Sequence, residues 1–231
     1  MSGNKIVWEK EWSSDDMKTV PNHALLTPSN EVVLFRNYLN SLGIIPPKTL
    51  IDIGSGKGRN SIYMAKEGFQ VYGIEYISTA VEYSKSYVLK SEMQEFPKFI
   101  LGDVTKRWKF KSNFFDLAID SLTTVGLQKN EREKCRNEMY RTLKKGGIAL
   151  IRVVSSDDKL EMELMKKYPG GEPNSSLWPD INKFQKNFSE IELREFYQDF
   201  NILVLKKLKK KALKLGRVFT ATNWWLIIQK P

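Results

Sequence analysis

The fold of this chain is decided by the stretch Leu50-Ile51-Asp52-Ile53-Gly54-Ser55-Gly56-Lys57-Gly58. Its first half belongs to a short β-rich run, Thr49 to Ile53, and its second half places glycines at alternate positions. A helical pattern follows from Asn60 to Glu67, closed by a glycine, and Gln70 to Glu75 has the composition of a second strand. Strand, glycine turn, helix and strand in this order predict a βαβ unit.

The glycine turn predicts a binding site for a nucleotide-like ligand. Positions without side chains let a ligand approach the backbone, and ligands of parallel α/β sheets bind outside the carboxyl ends of the strands. A dinucleotide fingerprint would need a third glycine at position 59 or 61, where Arg59 and Ser61 stand. A P-loop would need a Gly-Lys-Ser or Gly-Lys-Thr triplet after the turn, and the sequence has neither.

Strand and helix patterns alternate along most of the chain. Before residue 155 they predict three further helices: one capped by Ser29 or Asn30, one that begins at Ser78 or Thr79, and a charged one from an Asn130 cap through Leu143. They also predict three further strands, at Phe99 to Leu101, Phe114 to Ile119 and Ile148 to Val154. Beyond it they predict a loop-like stretch from Ser155 to Lys186, a helix near Ser189 to Phe200, and strands at Ile202 to Leu205 and Thr220 to Ile228. No helix separates the last two strands, so we expect an antiparallel hairpin at the sheet edge. The pattern predicts an α/β fold, with a doubly wound, mostly parallel seven-stranded sheet and a C-terminal antiparallel hairpin strand.

Acidic residues stand at the ends of the predicted strands. Glu75 ends the second strand, and Asp103 follows the third strand within Gly102-Asp103-Val104. A carboxylate such as Glu75 can accept hydrogen bonds from both ribose hydroxyls, and Asp103 can accept one from an adenine amino group while the backbone of Val104 donates another. The glycine turn, these acids, Phe114 to Ser121 and Leu143 to Gly147 together resemble the motifs of class I S-adenosylmethionine-dependent methyltransferases over roughly residues 49 to 154.

This resemblance implies S-adenosylmethionine as cofactor and S-adenosylhomocysteine as product. The cofactor-binding residues that it implies are Asp52, Gly54, Ser55, Gly56, Gly58, Asn60, Glu75, Tyr76, Asp103, Val104, Asp120 and Ser121. Within that set, Asp52 is expected to fix the glycine turn and the methionine amino group. We expect no metal, because Asp157 and Asp158, the acids available to join Asp120, lie beyond a strand end.

The sequence indicates the residues of the acceptor site less clearly than those of the cofactor site. His23, the only histidine, and Asp120 are the catalytic candidates, with a surface histidine and the capping of a turn as the ordinary alternatives. Trp8, Trp12 and Trp178 are candidates for the substrate pocket, although tryptophans in such segments also serve as packing anchors.

Length and composition indicate one domain. We divide the 231 residues into an N-terminal arm or lid (1–28), a cofactor-binding core (29–154), a substrate-side insertion (155–188) and a C-terminal helix and hairpin (189–231). The N-terminus lacks the pattern of a signal peptide, no apolar run approaches the roughly 20 residues of a membrane span, and Cys135 is the only cysteine. We therefore expect a cytoplasmic protein without disulfides and without a membrane partner.

The net charge of +10 leaves the acceptor class open. Much of the excess lies between Lys206 and Arg217, which would attract nucleic acid but lacks a stacking aromatic until Phe219. Lysines on an edge hairpin also prevent edge-to-edge pairing. We favour a small-molecule acceptor, by a loose resemblance to methyltransferases of the tellurite-resistance and thiopurine type. An RNA or protein methyltransferase that uses the basic hairpin and a non-catalytic cofactor-binding protein are the alternatives, and the oligomeric state is not indicated.

Overall fold

A computed structural model describes residues 7–9, 26–91, 93, 95–179 and 181–231 of the chain. Most of the expected N-terminal arm, including His23 and Trp12, lies outside these residues. No described helix combines the length and the apolar character that crossing a membrane requires.

The core of the fold is one seven-stranded sheet. Its strands are β1 (Thr49–Ile53), β2 (Gln70–Glu75), β3 (Lys98–Leu101), β4 (Phe115–Ser121), β5 (Leu143–Val154), β8 (Asn201–Lys214) and β9 (Arg217–Gln229). A separate two-stranded sheet consists of β6 (Ser175–Trp178) and β7 (Lys183–Lys186). The order across the large sheet is β3-β2-β1-β4-β5-β9-β8, and the first five strands are parallel. The sequence-based prediction of a mostly parallel sheet with an antiparallel C-terminal hairpin is confirmed.

Helices cover both faces of the sheet. They are α1 (Asn30–Ser41), α2 (Arg59–Lys66), α3 (Ser78–Lys90), α4 (Lys129–Thr142), α5 (Lys159–Lys167) and α6 (Glu190–Phe196). Buried side chains of α1 and α2 pack on one face, and those of α4 and α6 pack on the other. The adjacent Trp224 and Trp225 of β9 point to opposite faces, and both are buried because both faces are covered.

The sheet order places a topological switch point between β1 and β4. The chain moves outward from β1 through β2 to β3 and then returns to β4 on the other side. Loops that leave neighbouring strands on either side of such a point diverge, and the crevice between them is the usual ligand site of an open parallel sheet. The glycine turn after β1 and the segment after β4 lie at this crevice.

Two local expectations were wrong. The charged helix starts at Lys129, not after Asn130, because Gln128 and Glu131 form a capping box there. The insertion after β5 is not a loop throughout: it contains α5 and the hairpin of β6 and β7. Asp158 begins α5 by accepting hydrogen bonds from the backbone of Leu160 and Glu161.

The C-terminal hairpin is longer than the sequence pattern indicates. Leu215 and Gly216, at φ of 49° and 70°, make the tight turn that joins its strands. β9 pairs with β5 only from Asn223 onward, so the part nearer the turn pairs with β8 alone and projects beyond the sheet. The basic stretch from Lys206 to Arg217 therefore belongs mostly to an extended strand.

Candidate active site

The turn after β1 depends on glycine for reasons within the protein. Gly54, Gly56 and Gly58 have φ of 65°, 55° and 83°, which side chains disfavour. A Cβ on Gly54 would lie 2.3 Å from Oγ1 of Thr123, and one on Gly58 would lie 2.4 Å from Cζ of Phe99. Neighbouring side chains thus occupy the space beside two of the glycines that the sequence analysis assigned to ligand approach.

The glycine turn is held against the end of β2 by the backbone. The N–H groups of Gly54 and Ser55 donate to the carbonyl oxygen of Ile74, at 2.9 and 3.1 Å. On the other side, Oγ1 of Thr123 donates to the carbonyl oxygen of Ile53 at 2.6 Å. These bonds fix the turn between β2 and the segment after β4, so the crevice is preformed.

Glu75 is buried at the carboxyl end of β2 and already binds backbone. Its Oε2 accepts from Gly56 at 3.0 Å, and its Oε1 accepts from Tyr76 and Ile77 at 2.8 and 2.9 Å. Burial raises the pKa of this carboxyl group, and the three backbone bonds oppose that rise. Because Oε2 accepts only one of these bonds, it keeps acceptor capacity toward the crevice.

The acid after β3 lies at the surface. Oδ1 of Asp103 accepts from the backbone and the hydroxyl of Thr105, at 2.8 and 2.7 Å. Val104 beside it is buried, and its carbonyl oxygen accepts from Nε1 of Trp108 at 3.0 Å. The indole thereby fixes the backbone of the segment that is expected to meet an adenine ring.

Two buried carboxyl groups stand at the carboxyl ends of β1 and β4. Burial raises the pKa of Asp52 to about 6 and that of Asp120 to about 7, and repulsion between the two contributes to the rise at Asp120. Ser61 donates to Asp52 at 2.6 Å, which opposes the rise there. Asp120 accepts from the backbone of Thr123 and Thr124, at 3.0 and 3.3 Å, so it does cap the turn after β4. At neutral pH this pair attracts cations and can exchange protons.

Two buried hydroxyl groups near the crevice are unsatisfied. Ser55 Oγ and Ser121 Oγ have no hydrogen-bond partner within the part of the chain that the structure describes. Buried hydroxyls are normally paired, because an unpaired one costs free energy. Both belong to the set that the sequence analysis assigned to the cofactor. Ser55 Oγ lies 2.7 Å from where a Cβ on Gly73 would stand, beside β2, so it is Ser121, at the end of β4, whose unsatisfied hydroxyl fits a polar ligand in the crevice.

The remaining candidates fall in different places. Asn60 is turned toward α1, where its Oδ1 accepts from the backbone of Ser29 at 3.0 Å. Trp8 lies beside the turn after β4, 3.3 Å from where a Cβ on Gly126 would stand, and Lys183 of β7 lies 4.0 Å from its ring centroid. Trp178 is half-buried on β6. His23 and Trp12 lie outside the described residues.

The acids that the sequence analysis weighed as metal ligands are bound elsewhere. Asp158 accepts from the N-terminus of α5 and, through Oδ2, from the backbone of Thr222 at 2.6 Å. Asp157 forms an ion pair with Lys207. Among the described residues there is no group of three or more potential protein ligands for a metal ion.

The sequence analysis missed the polar residues on the α1 face of this edge. Glu31 of α1 is 2% exposed, Arg152 of β5 is 5% exposed, and Nε of Arg152 lies 3.1 Å from Oε1 of Glu31. The available signal was an arginine inside the otherwise apolar run from Ile148 to Val154. Thr123 gave no comparable signal, because its contact with Gly54 exists only in the folded chain.

Comparison with known proteins yields a consistent set of similarities. Residues 51–151 match a family model described as a methyltransferase domain. A phosphoethanolamine N-methyltransferase of Triticum aestivum is 28% identical over 115 residues, which make up 48% of this chain and 23% of that relative. The chain therefore spans about a quarter of the length of this curated relative.

Solved structures show the same fold at low identity. The structure of an S-adenosylmethionine-dependent methyltransferase from Methanosarcina mazei is similar with a TM-score of 0.73 and 21% identity, covering 85% of this chain and 96% of the other. A 1,6-didemethyltoxoflavin-N1-methyltransferase from Burkholderia thailandensis, solved with bound 1,6-didemethyltoxoflavin and S-adenosylhomocysteine, gives a TM-score of 0.70 at 15% identity. The similarity covers 98% of this chain and 88% of the other. At these identities the likeness establishes the fold.

Proposed function

We propose that this chain, a class I S-adenosylmethionine-dependent methyltransferase, methylates a small-molecule acceptor bound beside the carboxyl ends of β4 and β5. When bound, S-adenosylmethionine supplies a sulfonium methyl group that an acceptor nucleophile can attack in line. The observation that carries the proposal is the structure of the insertion after β5. β7 of that insertion lies against the turn after β4, so the chain's own segments cover the acceptor side of the crevice.

The roles that we propose at the cofactor side follow from placement. Glu75 would hold a ribose hydroxyl through the free acceptor position of Oε2, and Asp103 and Val104 would hold the adenine. Asp52, whose pKa is raised by burial to about 6, would face the methionine amino group. Ser121 would gain the hydrogen bond that its hydroxyl lacks within the described chain.

Asp120 is our candidate for the acceptor side. Its pKa, raised by burial to about 7, lets the carboxylate take a proton from an acceptor near neutral pH. In-line transfer also gains much of its rate from orientation, and a rigid, preformed crevice supplies that orientation. His23 stays a candidate outside the described residues.

The named relatives support an acceptor of small size. Two of the similar proteins are named for small molecules, phosphoethanolamine and 1,6-didemethyltoxoflavin. The RNA or protein alternative rests on the projecting hairpin, but several of its cations are bound within the protein: Lys207 pairs with Asp157, Arg217 pairs with Glu163, and Lys206 lies over Trp225.

Formation of S-adenosylhomocysteine tests the proposal. The purified chain would be incubated with S-adenosylmethionine and with small amines, phenols and thiols, including phosphoethanolamine, and in parallel with RNA and with protein substrates. We expect product with at least one small acceptor and much less of it with Asp120→Asn. Methylation of RNA or protein alone would favour the basic hairpin, and tight cofactor binding without product from any acceptor would favour a non-catalytic binding protein.

A further inference from the structure

Three cations and one carboxylate meet on the α1 face of the crevice. Arg59 is the first residue of α2, Arg152 lies near the end of β5, and Lys210 lies on β8. We call these three the cationic cluster. Glu31 of α1 interacts electrostatically with each of them. Four separate elements of the fold thus bring charged side chains into one region, in which Arg152 is buried and Lys210 is exposed.

The cationic cluster lies next to the proposed methyl-transfer site. Arg152 pairs in register with Ser121, the last residue of β4. Arg59 directly follows the glycine turn and also interacts with Asp52. The cationic cluster therefore lies at the carboxyl edge of the sheet, on the β4 and β5 side of the glycine turn.

The alternation of β8 places Lys210 on the same face as Arg152. Lys206 lies 4.7 Å from the ring centroid of Trp225, which packs on the α1 face, whereas Lys207 lies over Trp224, which packs on the opposite face. Lys210 is four residues beyond Lys206 and shares its face. Lys209 and Lys211 share the face of Lys207.

The charges in this region do not balance among the described residues. There, three cations share Glu31, and the other acid that acts on the cluster electrostatically is Asp52, which has Ser61 as its hydrogen-bond partner. Desolvation is the main factor that lowers the pKa of each cation. For Arg152 and Lys210, repulsion from their cationic neighbours lowers the pKa further. Arg152 is buried and Arg59 is partly buried, whereas Lys210 is exposed, so the cost of crowding falls mainly on the two arginines, which share Glu31.

The hydrogen bonds of this region are also incomplete. Nε of Arg152 and Oε1 of Glu31 are in ionic contact, but that Nε makes no hydrogen bond within the described chain, and Oε2 of Glu31 is buried without one. Because Nε of Arg152 faces Glu31, an oxyanion would be held by Arg59, by Lys210 and by the terminal N–H groups of Arg152, through several charge-assisted hydrogen bonds at once.

We propose that the cationic cluster binds an acidic group of the methyl acceptor, so that the acceptor is a small molecule carrying a phosphate or a carboxylate. The inference rests on the proposed function and narrows it to anionic acceptors. The cluster would hold that group on the β5 side of the edge while the nucleophile lies near Asp120. The carboxylate of the cofactor itself is the other source of such an oxyanion, and the experiment separates the two.

The test uses Lys210→Met with Lys211→Met as its matched control, because these adjacent lysines occupy opposite faces of the same strand. Titration calorimetry would first measure S-adenosylhomocysteine binding by each protein and then inorganic phosphate binding by each S-adenosylhomocysteine-loaded protein. We expect Lys210→Met to weaken phosphate binding at least tenfold with unchanged S-adenosylhomocysteine affinity, and Lys211→Met to match the wild type. Arg59→Gln should weaken phosphate binding in the same way.

Three results would overturn the inference. One is a loss of S-adenosylhomocysteine affinity in Lys210→Met, which would assign the cluster to the cofactor carboxylate. Another is equal phosphate binding in the two lysine variants. The third is efficient turnover of an uncharged acceptor that Lys210→Met leaves unchanged, which would keep the proposed function and remove only the anionic acceptor.

Discussion

Asp120 is an acid that the folded chain keeps close to neutrality. Burial raises its pKa from 3.8 to about 7, so between these pH values the folded chain retains a proton that the unfolded chain has lost. The Asp120 contribution to the free energy of unfolding therefore falls as the pH rises from about 4 to about 7. Asp120→Asn keeps an acceptor for Thr123 and Thr124 and removes the ionisation. We expect this substitution to leave the free energy of unfolding unchanged near pH 4 and to raise it by up to about 4 kcal/mol at pH 8, as measured by urea unfolding.

Asp116 provides the control of opposite sign. Lys144 donates to Oδ1 of Asp116 at 2.8 Å, and Thr49 donates to Oδ2; together these bonds outweigh the effect of partial burial and lower the pKa of this carboxyl group. Asp116→Asn should therefore lose stability at pH 8 and lose less as the pH falls below the usual pKa of an aspartate. If Asp120→Asn raised the free energy of unfolding equally at pH 8 and at pH 4, the ionisation of Asp120 would not be the cause of the gain.

Glu75 combines a structural and a proposed binding role. Glu75→Ala removes the acceptor for three backbone N–H groups as well as the charged hydrogen bond that we propose from a ribose hydroxyl to Oε2. We expect S-adenosylhomocysteine affinity to fall by roughly 1.5 to 3 kcal/mol, measured by calorimetry on protein shown to be folded. Glu82→Ala, at an exposed position on α3, is the control and should bind normally. Unchanged affinity in Glu75→Ala would remove this residue from the site.

The strand-end acids could be placed from sequence because a single rule positions them. Parallel strands end at the same edge, so Asp52, Glu75 and Asp120 follow once the strands are located. Arg152 and Glu31 could not be paired in this way. Their contact joins residues 121 positions apart on elements whose relative placement the local pattern does not contain.

At the level of elements, the glycine turn is a rigid connection rather than an open loop. Gly58 combines a φ of 83° with Phe99 2.4 Å from the position of a Cβ, whereas Gly146 has a φ of 76° with nothing within 4 Å. Gly146→Ala should therefore cost only the left-handed backbone, about 1 kcal/mol. Gly58→Ala must also displace a buried ring, so we expect a loss of about 2 to 4 kcal/mol in urea unfolding. Equal losses would mean that Phe99 moves aside freely.

The insertion after β5 shows why some elements escaped the sequence pattern. α5 has only nine residues, and its apolar spacing, Leu160 and Leu164, is a single step of four. β6 and β7 have four residues each, and β7 buries Lys186, whose ammonium group pairs with Glu192 at 2.5 Å. A hydropathy pattern assigns any lysine to the surface, so it cannot identify a buried one. The Asp158 cap was the one signal that α5 offered.

For the whole molecule, the uneven charge follows from where the fold puts its lysines. The hairpin of β8 and β9 carries much of the net charge of +10 and contributes Lys210 to the cationic cluster, while the crevice holds buried acids with raised pKa values. A ligand with a positive centre and a separate acidic group matches this division. The overall charge alone would have favoured a nucleic acid, which the division within the site does not require.

Ligand binding should be visible as stabilisation of the entire chain, because the crevice joins β1, β2 and β4 through one hydrogen-bonded turn. A ligand present at 100 times its Kd adds about 2.7 kcal/mol to the free energy of unfolding. For a domain of this size that corresponds to a rise in Tm of roughly 5 to 10 °C with S-adenosylhomocysteine. NAD at the same concentration should leave Tm unchanged, since the turn lacks the dinucleotide fingerprint. Glu75→Ala should show a reduced rise and Glu82→Ala the full one. Equal shifts with both ligands would mean that the crevice recognises adenosine alone, and no shift with S-adenosylhomocysteine would place the cofactor away from the glycine turn.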